Sequence, residues 1–116
     1  MDEIVRFYEI FPGDTHTIRA WTGHQIEKKW FHCTAGSFTI NVVEINDFQS
    51  PSKNLIPQKI ELKDSGISIL EIPGGFATGI KANTLNSRLQ VFSNFGIEES
   101  KNDDFRFPVE MWEAKW

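Results

Sequence analysis

The chain has 116 residues, 40 % of them hydrophobic and 24 % charged, a length that holds one core and a composition that folds. Twelve Lys and Arg against sixteen Asp and Glu leave a net charge of −4 with no basic run, which argues against a nucleic-acid partner. No apolar run approaches the ~20 residues that span a bilayer, Cys33 has no second cysteine to pair with, and the start Met-Asp-Glu-Ile lacks the pattern of a signal peptide; the expectation is a single cytoplasmic domain over 1–116 with no membrane attachment.

Thirteen Ile, five Val, seven Thr and fifteen aromatics outweigh five Ala and five Leu, which is the chemistry of strands. In chain order, strands are expected over 4–11, 17–21, 26–34 and 38–46, separated by Phe11-Pro12-Gly13-Asp14, Thr22-Gly23 and Ala35-Gly36-Ser37. The stretch 47–57, with Pro51, Ser52, Lys53 and Asn54, has loop composition. Strands at 58–62, 67–72, 76–82, 89–95 and 105–109 follow, punctuated by Asp64-Ser65-Gly66, Pro73-Gly74-Gly75 and the turn residues of 83–87. A short closing helix over 110–116 would lay Trp112 and Trp116 on the body. Eight or nine short strands with minimal helix predict an all-β sandwich or barrel.

The richest chemistry lies between Arg19 and Gly36. With Thr22, His24, Lys29 and Gly36, this stretch has the spacing of the first motif of the cupin barrels: His-x-His, four residues, Glu, six residues, Gly. The second cupin motif, a Gly, a Pro-x-Gly and a His three residues later, is similar to Gly66, Pro73-Gly74-Gly75 and Thr78. Two hydroxyls and an ammonium therefore stand at three of the four metal-ligand positions. Because a divalent ion needs several deprotonated or neutral donors, no metal is expected, and a metal dioxygenase is disfavoured.

The chain resembles the metal-free cupins that isomerise or epimerise nucleotide-linked 4-keto-6-deoxyhexoses. Arg19, His24 and Gly36 match the signature of the dTDP-sugar 3,4-ketoisomerases, Arg-Gly-x-His-x-His with a Gly twelve residues past the last His. Arg6-Phe7-Tyr8-Glu9-Ile10, Phe92-Ser93-Asn94-Phe95 and Asp104-Phe105-Arg106 resemble that family's first and closing segments. Lys29 and Pro73-Gly74-Gly75-Phe76-Ala77-Thr78-Gly79 resemble the related 3,5-epimerases, whose base, a His, stands at Thr22, and whose turn has a His at Thr78. A hydroxyl is too weak a base for that step, so the resemblance favours a ketoisomerase.

The resemblance implies a cupin jelly-roll barrel, a double-stranded β-helix. It also implies a nucleotide-linked deoxysugar as ligand, no cofactor, and a homodimer paired through the N-terminal strand. It assigns the proton transfer to His24, stabilisation of the enediolate oxygen to Lys29 and the diphosphate to Arg19, with Thr22, Thr78 and Tyr8 lining the substrate and Trp21 a substrate-stacking residue if it is not core. Tyr8, the only tyrosine, competes with Phe11 for the position of the family's phenolic acid. His32, three residues past Lys29, falls on the opposite strand face, His16 sits by a turn, Cys33 reads as packing, and Asp103, Asp104 and Arg106 read as a solvated turn with a local ion pair. The alternative to an enzyme is a non-catalytic sugar or sugar-nucleotide binding module.

Overall fold

The computed structural model describes residues 3–116 and contains the nine strands expected, with shifted ends. They are β1 (Arg6–Ile10), β2 (Arg19–His24), β3 (Lys29–Ala35), β4 (Ser37–Glu44), β5 (Gln58–Lys63), β6 (Leu70–Ile72), β7 (Phe76–Ala82), β8 (Arg88–Ser93) and β9 (Phe105–Arg106). One sheet has the order β1-β8-β3-β6 and the other β5-β4-β7-β2-β9. Every strand pairing within them is antiparallel. This alternation of early and late strands is the jelly-roll order, in which two facing sheets bury a common core. The cupin jelly roll expected from the sequence is therefore the fold.

Strand alternation divides the apolar residues between two clusters. Between the sheets lie Phe31, Cys33, Phe38, Ile40, Leu62, Leu89 and Val91, with Ile72 and Ala82. Cys33 is thus a packing residue. A second cluster covers the outer face of the five-stranded sheet, where Trp21, Val43, Ile45 and Ala77 receive Phe48 and Trp112, with Trp116 and Phe107 packed alongside. Val43, which spoils a clean inside-outside alternation in β4, is buried because this second layer covers it.

Several expectations at the ends of elements are corrected. Thr22-Gly23 is not a turn but the middle of β2, since the chain turns only after His24. β3 starts at Lys29 rather than 26, because the N–H groups of Gln25, Ile26 and Glu27 bond to the Asp103 carboxylate instead of a neighbouring strand. The closing helix over 110–116 reduces to one 3-10 turn, Val109–Met111. Side chains occupy its backbone instead: Trp21 donates its indole N–H to the Val109 carbonyl and Asn41 its amide to the Lys115 carbonyl. A five-residue helix, α1 (Ile97–Lys101), follows β8 and is too short to leave a periodic signal in the sequence.

Two glycines set tight turns, and the second lies beside the loop that follows His24. Gly36 has φ +74° and closes the β3–β4 turn, where a Cβ would run into the Ser87 hydroxyl. At Gly74 a Cβ would lie 2.6 Å from the Gln25 carbonyl oxygen and 2.8 Å from Ile26 Cα, so its absence lets the 73–75 turn press against the loop that carries Glu27.

Candidate active site

A bulge between Arg19 and Thr22 shapes one wall of a cavity between the sheets. Plain alternation would place Arg19 on the face of Trp21 and Gly23; the extra residue returns it to the face of Thr22 and His24. The cavity, about 440 Å³, is lined by Tyr8, Arg19, Thr22, His24, Lys29 and Thr78, with the walls formed by neighbouring residues of β1, β3 and β7 and by Arg106 of β9. A smaller recess of about 240 Å³ continues past Tyr8, His24 and Lys29 to α1. Six of the seven residues expected to form the site therefore share one cavity.

Trp21 is the seventh, and it takes the core position rather than the substrate-lining one. It is 1 % exposed on the outer side of the sheet, edge-on to Trp112 at 5.5 Å, and its indole N–H is committed to the Val109 carbonyl. It holds the second cluster together and does not face the cavity. His32 is half-buried against Gln90, on the face opposite Lys29 as alternation requires, and His16 is exposed beside Asp14.

His24 ends β2 with its ring nearly buried, 9 % exposed. Its Nδ1 lies 2.7 Å from the Asp103 carbonyl oxygen, which can only accept, so Nδ1 carries the hydrogen. Nε2 is then the lone-pair nitrogen, and it is buried without a hydrogen-bond partner among the described residues. Burial pushes the His24 pKa below its usual value, the charge of Lys29 pushes it the same way, and the Asp103 carbonyl and Glu27 oppose both. The ring is neutral at pH 7, with its basic nitrogen free.

Lys29, first residue of β3, donates to the Tyr8 hydroxyl at 3.1 Å. That contact uses the phenol's lone pair and leaves its O–H free to donate into the cavity. The Arg6 guanidinium lies 5.3 Å from the Tyr8 ring centroid, so the ring sits between two cations. Phe11 also reaches the cavity wall, while only Tyr8 brings a hydroxyl to Lys29. Arg19 stands at the mouth with no ion pair among the described residues, and Thr22 and Thr78 face each other across β2 and β7.

Sequence reasoning missed four contributors. Arg106 pairs with Asp104 at 2.8 Å as expected, yet it also lines the cavity. Asp103, read as solvated, is buried and accepts three backbone N–H bonds of 2.8 Å from Gln25, Ile26 and Glu27. Glu27 is buried and bonded to Arg6, Ser93 and Ser100. No local signal marks Arg6, Glu27 or Asp103, because the groups that their side chains hydrogen-bond to lie 21 to 78 residues away. Among the described residues, no three His, Cys, Asp or Glu side chains converge as metal ligands do.

No family model and no curated protein matches the chain, whereas solved structures do. The QdtA sugar 3,4-ketoisomerase from Thermoanaerobacterium thermosaccharolyticum, in complex with TDP, is 23 % identical with a TM-score of 0.71 over 93 % of this chain and 70 % of that one. WlaRA, a TDP-fucose-3,4-ketoisomerase from Campylobacter jejuni, is 19 % identical with a TM-score of 0.69 over 88 % of this chain and 67 % of that one. The dTDP-4-dehydrorhamnose 3,5-epimerase from Elizabethkingia anophelis NUHP1 reaches a TM-score of 0.77 at 13 % identity, over 97 % of this chain but 62 % of its own length. What the chain shares with these structures is the fold, a cupin jelly roll.

Proposed function

We propose that the chain is a sugar-nucleotide isomerase that moves the keto group of a nucleotide-linked 4-keto-6-deoxyhexose between C4 and C3 through an enediolate. The observation that carries this reading is the buried Nε2 of His24, left without a hydrogen-bond partner among the described residues, in a residue that lines one cavity with Lys29 and Tyr8. Nε2 takes the proton from C3, the C–H electron pair becomes the C3=C4 bond, and the charge passes to the C4 oxygen, where Lys29 and Tyr8 stabilise it. The imidazolium returns its proton to C4 while the C3 hydroxyl passes its own proton to the C4 oxygen, by way of the Tyr8 hydroxyl, so that C3 becomes the carbonyl and C4 the alcohol. Nothing is consumed, so no cofactor is required. Arg19 and Arg106 supply positive charge at the mouth for a diphosphate. Thr22 and Thr78 supply only neutral hydroxyls, which favours a one-base isomerisation over an epimerisation that must deprotonate C3 and C5. They also favour the second reading, a binding module without activity. Similar structures solved with TDP and with TDP-4-keto-6-deoxyglucose support this ligand class. We further propose a homodimer through β1.

Incubation with dTDP-4-keto-6-deoxyglucose in D₂O, followed by NMR, tests the reaction. Deuterium at C3 or C4 with keto migration is expected; exchange at both C3 and C5 would indicate an epimerase, and none a binding module. Calorimetry with dTDP tests the ligand class. Arg19→Ala is expected to weaken binding about ten- to a hundredfold, the worth of a charge-assisted hydrogen bond of ~1.5–3 kcal/mol. Failure of the wild-type chain to bind dTDP at millimolar concentration would overturn the reading.

A further inference from the structure

Three donors converge on one buried carboxylate directly behind His24. Glu27 is 1 % exposed. Its Oε2 accepts from the Arg6 guanidinium at 3.2 Å and from the Ser93 hydroxyl, and its Oε1 accepts from the Ser100 hydroxyl at 2.7 Å. Oε1 also lies 3.4 Å from His24 Nδ1, the nitrogen whose hydrogen points at the Asp103 carbonyl. The donors come from β1, the end of β8 and α1, so the carboxylate cannot swing away from the ring without breaking bonds to three separate parts of the chain. A carboxylate whose task was only to pair Arg6 would have no need to sit in contact with the back of an imidazole whose opposite nitrogen is free.

From this geometry we infer that Glu27 is a positioning residue for His24, a fixed negative charge that stabilises the imidazolium formed when Nε2 takes a proton. The inference rests on the reading of His24 as the base, and Glu27 itself touches no substrate. Arg6 and the two hydroxyls moderate the charge that the ring feels. The other groups facing His24 are Lys29 from β3 and Tyr8 from β1, with Lys101 of α1, Asp104 and Arg106 of β9 around the adjoining recess. The Asp103 carboxylate is turned away onto the backbone of 25–27. Glu27 is therefore the carboxylate nearest the ring nitrogens, and Lys29 is the cation that works against it.

The test is the protonation midpoint of the His24 ring, followed by NMR on the full chain without ligand. Glu27→Gln keeps the shape and removes the charge, and the midpoint is expected to fall by about one pH unit, the lower end of what an opposite charge at this range produces. In the exchange reaction the acid limb of the pH profile should move down with it, while dTDP affinity is unchanged. An unmoved midpoint in the folded variant would overturn the inference. Should Glu27→Gln not fold, Ser100→Ala decides. It strips one donor from the oxygen nearest the ring and is expected to raise the midpoint, and an unmoved midpoint refutes Glu27 as its charge partner. Because the midpoint is read without substrate, this outcome is independent of whether the chain turns over, or even binds, a nucleotide sugar.

Discussion

The substitution Asp103→Asn removes one negative charge and exchanges one acceptor oxygen for a donor, at a point where three backbone N–H groups converge. Oδ2 receives Ile26 and Glu27, and Oδ1 receives Gln25, each at 2.8 Å. The introduced amide can keep its oxygen toward Ile26 and Glu27, but its NH₂ then faces the N–H of Gln25. One charge-assisted bond, worth ~1.5–3 kcal/mol, is lost, and the two that remain become neutral, at ~0.5–1.5 kcal/mol each. Water at the exposed Gln25 recovers part of the first term, leaving a net destabilisation of about 3 kcal/mol. For a domain of this length that corresponds to a fall in Tm of about 12 °C. Calorimetric or urea unfolding of the two chains measures it, with NMR of the His24 ring as a second readout. The loop 25–27 carries Glu27 and is tied to the same residue whose carbonyl orients the ring, so the ring resonances should move as well. A Tm within about 3 °C of wild type together with unchanged His24 resonances would refute the view that Asp103 anchors this corner of the site.

Stability should fall as the pH is lowered through the region just below neutrality. Burial holds the His24 pKa below its unfolded value of 6.5, so between the folded midpoint and 6.5 the unfolded chain binds more protons. The contribution is complete above about pH 6.5 and is lost as the pH drops; urea midpoints at several pH values should show this in wild type and lose it in His24→Asn, and an equal slope in both chains would contradict the assignment. Gly74→Ala drives a Cβ against backbone on the 25–26 loop, and a loss of about 1–3 kcal/mol in unfolding free energy is expected, where a neutral result would show that the two turns slide freely. β1 lies at the edge of its sheet with Phe7 half-exposed on Phe92. Sedimentation at micromolar concentration is expected to show a dimer that dissociates in Phe7→Lys, and a wild-type monomer would end the proposal.

The strands were legible in the sequence because each is written locally. β-branched and aromatic residues fill them, and Gly, Pro, Asn and Asp punctuate them at short intervals, so all nine could be located without tertiary information. The spacing of Thr22, His24 and Lys29 likewise lies within one short stretch of chain and pointed to residues that do share a cavity. What the tertiary structure decided is everything that depends on a partner far along the chain. Trp21 could stack on a ligand or fill a core, and Trp112, near the other end of the chain, packs over it on the outer face of the sheet and makes it core. Asp103 and Glu27 look like surface charges, since nothing local distinguishes a solvated carboxylate from a buried one. Asp103 is buried because it is the acceptor for a loop more than seventy residues away, and Glu27 because Arg6, Ser93 and Ser100 close on it from three directions. Burial of a charge requires such partners to arrive together, and only the folded chain brings them to one place.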